Sequence, residues 1–148
     1  MNYLNTHSRF SLMGGLNSPE ELLQFAQDQR ANALALTDTN GLYGVPEFLE
    51  VAREYNVRPI VGVEIRSNEL EFSALARNRK GYEGLCLYLT KFHQSNQRIP
   101  LKDTCAFLAN YLEDLVFFSS QKPFLLEMKN LGASIFFEMS RGFFTHRD

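Results

Sequence analysis

The stretch ALALTD, residues Ala33–Asp38, decides the fold. A short apolar run that ends in polar residues is typical of a strand buried on both faces of a parallel sheet. The segment PIVGVEI, Pro59–Ile65, repeats this pattern with an acid near its end. A helix is predicted before the first run, because SPEE at Ser18–Glu21 combines an N-cap serine, a proline at the first helical position and a capping glutamate.

Further segments continue the same alternation along the chain. Strands are predicted at Leu70–Leu75, Leu115–Phe118 and Ile135–Phe137, and apolar spacing predicts a helix over Gly81–His93. Parallel strands that alternate with helices indicate a single α/β domain over residues 1–148. Periodicity alone leaves open whether the sheet is open or closed into a barrel.

The charge balance argues against a nucleic-acid-binding surface. The chain has 15 basic and 17 acidic residues, a formal charge of -2, so it lacks the basic field that grips a phosphate backbone. No apolar run reaches the roughly 18 residues of a membrane-spanning helix, and the N-terminus lacks the blocks of a signal peptide. We therefore expect a cytoplasmic protein that has no membrane partner.

Three polar side chains follow predicted strands and are candidates for a metal site. His7, Asp38 and Glu64 each come after a strand, and in parallel α/β folds such side chains converge on one face of the sheet. An imidazole with two carboxylates suits zinc, manganese or iron. Structural alternatives stay open: Asp38 as a turn residue, Glu64 as a partner of Arg66, and His7 as a hydrogen-bonded histidine.

Other familiar catalytic motifs are absent from the sequence. There is no Cys-x-x-Cys, no His-Glu-x-x-His, no Gly-x-Ser-x-Gly and no Walker-type glycine loop. The pair Gly14–Gly15 precedes the capped helix and is interpreted as a tight turn, with a phosphate cradle as the alternative.

Several segments together carry a family resemblance, in matching order and spacing. They are His7–Gly15 (HSRFSLMGG), Ala33–Asp38 with Asn40 and Gly44, Arg58–Glu64 (RPIVGVE), Leu75–Asn78 (LARN) with Gly81 and Tyr82, and Asp114–Ser120 (DLVFFSS). From about Asn2 to Arg141 the chain resembles the PHP (polymerase and histidinol phosphatase) domain that opens the α subunit of bacterial DNA polymerase III.

The resemblance implies a PHP-type (β/α)7 barrel with metal ions at the C-terminal ends of its strands. The matched ligand positions are His7, Asp38, Glu64 and His93. Four other ligand positions of intact members are occupied here by residues that bind metal poorly or not at all: Asn5, Gly14, Thr39 and Gln121. Hydrolysis of phosphoesters by clustered metals requires closely spaced ions. We expect no catalytic residue and no firmly bound cofactor, with at most one weakly bound zinc or manganese ion.

The resemblance also implies a role and partners. We expect a structural domain of a polymerase, with the remainder of the α subunit and a proofreading subunit as partners and with DNA bound only by the full polymerase. The family's last strands lie beyond Asp148, so the barrel is expected to be truncated, and the apolar edge at Ile135–Met139 predicts self-association. Two other interpretations stay open: a standalone metal-dependent phosphoesterase, and an inert PHP-like domain that regulates another process.

Overall fold

The fold is a curled sheet of six strands with helices on its outer face, and the computed structural model describes residues 1–12 and 14–139. The predicted similarity ends at Arg141, outside the described residues. No described helix has the length and apolar character needed to cross a membrane. The strands are β1 (Asn2–Thr6), β2 (Ala33–Leu36), β3 (Arg58–Arg66), β4 (Glu71–Ala76), β5 (Leu115–Ser119) and β6 (Ile135–Phe137). The helices are α1 (Pro19–Asp28), α2 (Val45–Val51), α3 (Arg79–Gln94), α4 (Leu101–Leu108) and α5 (Lys122–Asn130), with single 3-10 turns at Ala52–Glu54 and Ala109–Tyr111.

The strands lie side by side in the order in which the chain visits them. β1 with β2, β2 with β3, and β5 with β6 pair in parallel, which confirms the predicted parallel pairing of the strands that carry Asp38 and Glu64. The prediction of a parallel sheet is wrong for β4, which is antiparallel to both of its neighbours, β3 and β5. Only residues 67–70 separate β3 from β4, and a parallel pair needs a crossover of a dozen residues or more.

A hydrogen bond between the two edges of the sheet shows how strongly it curls. β1 and β6 occupy opposite edges of the sheet, which in a flat sheet would be roughly 24 Å apart at about 4.8 Å per strand. The side chain of Asn5 nevertheless donates from Nδ2 to Oε1 of Glu138, just after β6, at 2.7 Å. The sheet therefore curls into a half-barrel, and its concave side is called the inner face below.

The outer face of the half-barrel carries the hydrophobic core. Leu34 and Leu36 of β2 pack with Leu23 of α1 and Phe48 of α2. The larger cluster joins β3, β4 and β5 to α3, α4 and α5 and is rich in aromatic rings, which include Phe72, Tyr88, Phe92, Phe117 and Phe124. The predicted capping box is also confirmed: Ser18 Oγ accepts from Glu21 N, and the Glu21 carboxylate accepts from Ser18 N.

The inner face of the half-barrel has a smaller apolar lining. Ala35, Leu75 and Phe118 are buried there, and Ile60 and Val116 pack against them while partly exposed. On β6, Phe136 and Phe137 remain more than half exposed. The self-association expected from this edge stays a prediction.

Asp114, the residue directly before β5, binds the start of α3 through its carboxylate. The Asn78 side chain caps α3 by accepting from Gly81 N at 2.9 Å, and its Nδ2 donates to Asp114 Oδ1 at 2.9 Å. Lys80 Nζ lies 3.0 Å from Asp114 Oδ2. The hydrogen bond from Asn78, followed by the hydrogen bond from Lys80, lowers the pKa of the Asp114 carboxyl below its usual value.

This attachment predicts a pH-dependent effect of Asp114→Asn. Because the folded-state pKa is lowered, the carboxylate stabilises the fold above the ordinary pKa of aspartate, and the contribution disappears as pH falls through the folded value. The difference in urea midpoint between the two proteins should be largest near neutral pH and shrink steadily as the pH falls below the ordinary pKa of aspartate. Glu83→Gln, which alters the exposed ion pair with Arg79, is the control and should change little at any pH. A difference that grows as the pH is lowered would contradict the assignment.

Candidate functional site

Asp38 is a buried carboxylate whose oxygens all have donors from the β1–α1 loop. It follows β2 by two residues and is 2% exposed. Its Oδ1 accepts from Ser8 N and Ser11 Oγ, each at 2.7 Å, and its Oδ2 accepts from Ser8 Oγ at 2.7 Å. Gly44 lies close to this carboxylate: a Cβ at that position would come within 2.8 Å of Asp38 Oδ2. The carboxylate thus ties the β1–α1 loop to the end of β2.

Glu64 lies within β3, two residues before its end, and is 4% exposed. Thr39 Oγ1 donates to its Oε2 at 2.9 Å, and Arg66 Nη2 donates to its Oε1 at 3.0 Å. The alternative in which Arg66 is the partner of Glu64 is therefore what the structure shows. Arg66 also pairs with Glu71 at 3.3 Å, so one guanidinium serves two carboxylates.

His7 connects these two carboxylates through hydroxyl groups. Its Nδ1 lies 3.3 Å from Ser11 Oγ and 3.2 Å from Thr39 Oγ1, and its Nε2 lies 3.0 Å from Asn5 Oδ1. The distance from Nε2 to Glu64 Oε1 is 3.8 Å. Asp38, His7 and Glu64 thus gather at one end of the sheet, as the strand pattern predicted, in a hydrogen-bonded network that we call the mouth network: Asn5, His7, Ser8, Ser11, Asp38, Thr39, Glu64 and Arg66.

His93 contributes to this region only through a loop. It lies near the end of α3, and its Nε2 donates to the backbone carbonyl of Asn40 at 2.7 Å. Asn40 in turn clamps the backbone of Arg66, accepting from its N at 2.7 Å and donating to its O at 2.8 Å. The φ of Asn40 is 54°, in the left-handed region where asparagine is tolerated better than most residues. His93 therefore fixes the segment that positions Arg66.

The four positions at which the family resemblance implies a lost ligand have separate surroundings. Asn5 and Thr39 belong to the mouth network, with Thr37 Oγ1 donating to Asn5 Oδ1 at 2.8 Å. Gly14 is exposed beside the network, and a Cβ there would lie 3.9 Å from His7 Nδ1. Gln121 accepts from Glu71 N at 3.0 Å and so contacts the start of β4.

The described residues do not fit the metal cluster that the family resemblance implies. Within residues 1–12 and 14–139 no three His, Cys, Asp or Glu side chains are grouped to bind a metal ion. Donors from the chain itself engage the oxygens of Asp38 and Glu64, and the guanidinium of Arg66 lies where Glu64 would otherwise need a cation. Among the described residues, every deeply buried side-chain nitrogen or oxygen has a hydrogen-bond partner. Within the described residues, donors of the chain itself thus satisfy the carboxylates of the network.

Sequence reasoning did not identify the two serines that donate to Asp38 or the glutamate that accepts from Asn5. Ser8 and Ser11 supply all three donors to Asp38, and Glu138 accepts from Asn5 across the half-barrel. The available signal for the serines was their position directly after His7, in a loop that returns toward the end of β2. Glu138 lies 133 residues from Asn5, and no local pattern connects them.

Comparison with known proteins relates this chain to the PHP domain and to DNA polymerase III subunit alpha. The family model for the PHP domain matches residues 4–132. The DNA polymerase III subunit alpha of Buchnera aphidicola subsp. Schizaphis graminum is 34% identical over 99 residues, covering 62% of this chain and 8% of that protein. That of Staphylococcus aureus (strain Mu50) is 36% identical over 87 residues, covering 56% of this chain and 8% of that protein. The chain thus spans about 8% of the length of these relatives.

A solved structure supports the fold. The crystal structure of a candidate metal-dependent phosphoesterase from Bifidobacterium adolescentis aligns with a TM-score of 0.55 at 14% identity, covering 93% of this chain and 76% of that chain. At this identity the likeness concerns the fold alone. The predicted PHP-like α/β fold is confirmed, and because the family match extends over residues 4–132, the chain belongs to the PHP domain family.

Proposed function

We propose that this chain is the PHP portion of a bacterial replicative polymerase α subunit and acts as a structural domain rather than as a hydrolase. The named relatives support the first part, since several are DNA polymerase III subunit alpha. Its partners would be the remainder of the α subunit and a proofreading subunit, in the cytoplasm, with DNA bound by the whole polymerase.

One observation carries the structural role: the mouth network satisfies its own carboxylates. Hydrolysis of a phosphoester by clustered metals requires an ion that activates water and another that stabilises the leaving oxygen. Here Asp38 accepts from Ser8 and Ser11, and Glu64 accepts from Thr39 and Arg66. A metal ion would have to displace these donors, so we expect at most one weakly bound zinc or manganese ion.

The second candidate is a standalone metal-dependent phosphoesterase. The approach of His7 Nε2 to Glu64 Oε1, at 3.8 Å, favours it, because an imidazole and a carboxylate at one site are common metal ligands. The same Glu64 oxygen accepts from Arg66 at 3.0 Å, which opposes a cation there.

Metal content and hydrolysis distinguish these candidates. Protein purified without chelator should contain far less than one metal ion per chain, and chelator should shift the unfolding midpoint by less than about 1 °C, because no bound ion stabilises the fold. It should not hydrolyse p-nitrophenyl phosphate or a 3′-mismatched primer with added manganese or zinc. Stoichiometric metal, with turnover that disappears in Glu64→Gln, would establish the phosphoesterase instead.

Membership in a polymerase is tested separately by the coding sequence on both sides of this chain. We expect it to continue into polymerase domains. A reading frame that encodes no polymerase domain would contradict the proposed assembly while leaving the structural role of the mouth network intact.

A further inference from the structure

A groove lies at the end of the sheet opposite to the mouth network. It has a volume of about 680 Å³ and is lined by the starts of β3 and β5, the end of β4 and the neighbouring parts of α2 and α3. On β3 the groove lining runs from Arg58 to Val61, and Val61 lies three residues, or roughly 10 Å of extended strand, before Glu64 at the mouth. The groove is therefore distinct from the candidate site, and a binding role for it goes beyond the proposed function.

The apolar lining of the groove is mainly aliphatic. Leu49 of α2, Ile60 and Val61 of β3, Leu75 of β4 and Val116 of β5 line it, and Leu49 is 41% exposed. Ile60, Val61 and Val116 are only partly buried, and partly exposed aliphatic side chains in a concave surface are suited to packing against the aliphatic side chains of a partner. A single aromatic residue, Tyr82, lies in this lining, so the surface lacks the stacking platforms on which single-stranded nucleic acids bind.

The charge of the groove is opposite to that of the chain as a whole. Three arginines line it, Arg58, Arg77 and Arg79, and no acidic residue does, although the chain has a formal charge of -2. Among the described residues, Arg79 pairs with Glu83 at 3.0 Å, whereas neither Arg58 nor Arg77 forms a salt bridge. Arg77 donates to Ser134 Oγ at 2.9 Å, which fixes its guanidinium without neutralising it. Two positive charges beside an apolar floor thus remain available to carboxylates.

We propose that this groove is a docking site for an acidic, aliphatic peptide segment of a separate protein. Leucine-like side chains would pack against Ile60 and Val116, and carboxylates at alternate positions would pair with Arg58 and Arg77. Arginine suits this role because its planar guanidinium binds a carboxylate through two parallel hydrogen bonds. The docking site would give the structural domain a contact that is independent of the mouth network.

The test uses the full chain and fluorescence anisotropy with three labelled nonapeptides. One alternates glutamate with leucine, one alternates lysine with leucine, and one alternates glutamate with serine. We expect the glutamate–leucine peptide to bind at least about tenfold more tightly than either of the others, because only it complements both the charge and the apolar floor. The double variant Arg58→Glu/Arg77→Glu should lose this binding and prefer the lysine–leucine peptide.

The control is Arg53→Glu/Lys129→Glu, which makes the same change in net charge at exposed positions outside the groove and should bind like the parent. The neutral variant Arg58→Gln/Arg77→Gln provides a second measurement and should weaken binding without reversing the preference. Equal binding of the glutamate–leucine and lysine–leucine peptides would overturn the proposal, as would binding that survives Arg58→Glu/Arg77→Glu. Absence of binding at about 1 mM peptide, or tighter binding of a single-stranded oligonucleotide of equal charge, would also overturn it.

Discussion

Replacement of Asp38 by alanine should lower the free energy of unfolding by about 3 kcal/mol, because it removes the acceptor of three buried donors. The hydroxyls of Ser8 and Ser11 can rotate toward other acceptors, but the backbone N–H of Ser8 cannot. Asp38→Asn keeps one carbonyl oxygen for Ser8 N and should cost only about 1 kcal/mol. Urea unfolding at neutral pH measures both values.

The sign of the Asp38→Asn effect separates a structural carboxylate from a metal ligand. Carboxylates collected to bind a cation repel one another in the metal-free protein, so a neutral amide at such a site stabilises it. In the mouth network Asp38 faces donors, so the amide should destabilise. Asp28→Ala, at an exposed position of α1 whose carboxylate accepts from Gln24, is the control and should change stability by less than about 0.5 kcal/mol. A stabilising Asp38→Asn variant would contradict the structural assignment.

Elements with a local signal were predictable from the sequence. The capping box at Ser18–Glu21 specifies the start of α1 within four residues of chain, and the apolar run at Ala33–Leu36 has the length and composition of a buried strand. The direction of β4 was missed because alternation identifies a strand without identifying its partner. The short connection at residues 67–70 was the signal that an antiparallel hairpin forms there.

The site was predictable only in part, because a local pattern does not show which distant residues a side chain contacts. Parallel pairing of β2 and β3 brings Asp38 and Glu64 to one end of the sheet, and Glu64 N donates to the Asp38 carbonyl at 3.2 Å. What each carboxylate binds depends on contacts between distant segments. Ser8 approaches Asp38 from a loop without periodicity, and His93 reaches Asn40 from a helix 53 residues further along. Such contacts arise from the packed fold and have no signature in a single segment.

Arg66 is the positively charged partner of the buried acid Glu64. Glu64 needs a positive partner because a buried, unpaired carboxylate is costly. Arg66 supplies that charge, and the side chain of Asn40 fixes the backbone of Arg66 at both its N and its O. His93 donates to the carbonyl of Asn40 and so supports the same segment. Glu64 and His93, two of the four residues that the family resemblance matches to metal ligands, thus help to hold an arginine.

Gly81→Ala should be the most destabilising glycine substitution in α3, with a loss of about 3 kcal/mol. A Cβ at Gly81 would lie 2.2 Å from the carbonyl oxygen of Asp114, which is itself the acceptor of Arg77 N at 2.9 Å. This atom belongs to the backbone just before β5, so relief of the clash requires the helix and the strand to separate. Thermal unfolding should shift downward by roughly 10 °C for a chain of this size.

Gly84→Ala is the matched variant, because both glycines lie in α3 and alanine favours a helix over glycine by about 1 kcal/mol at an interior position. A Cβ at Gly84 would meet the ring of Tyr111 at 2.7 Å, and a side chain on a single 3-10 turn can pivot where a strand backbone cannot. The gain in helix propensity should therefore offset much of the crowding at Gly84, whereas at Gly81 it should be overwhelmed. Equal losses in the two variants would mean that the start of α3 can move away from Asp114, and the attachment through Asn78 and Lys80 would then not be rigid.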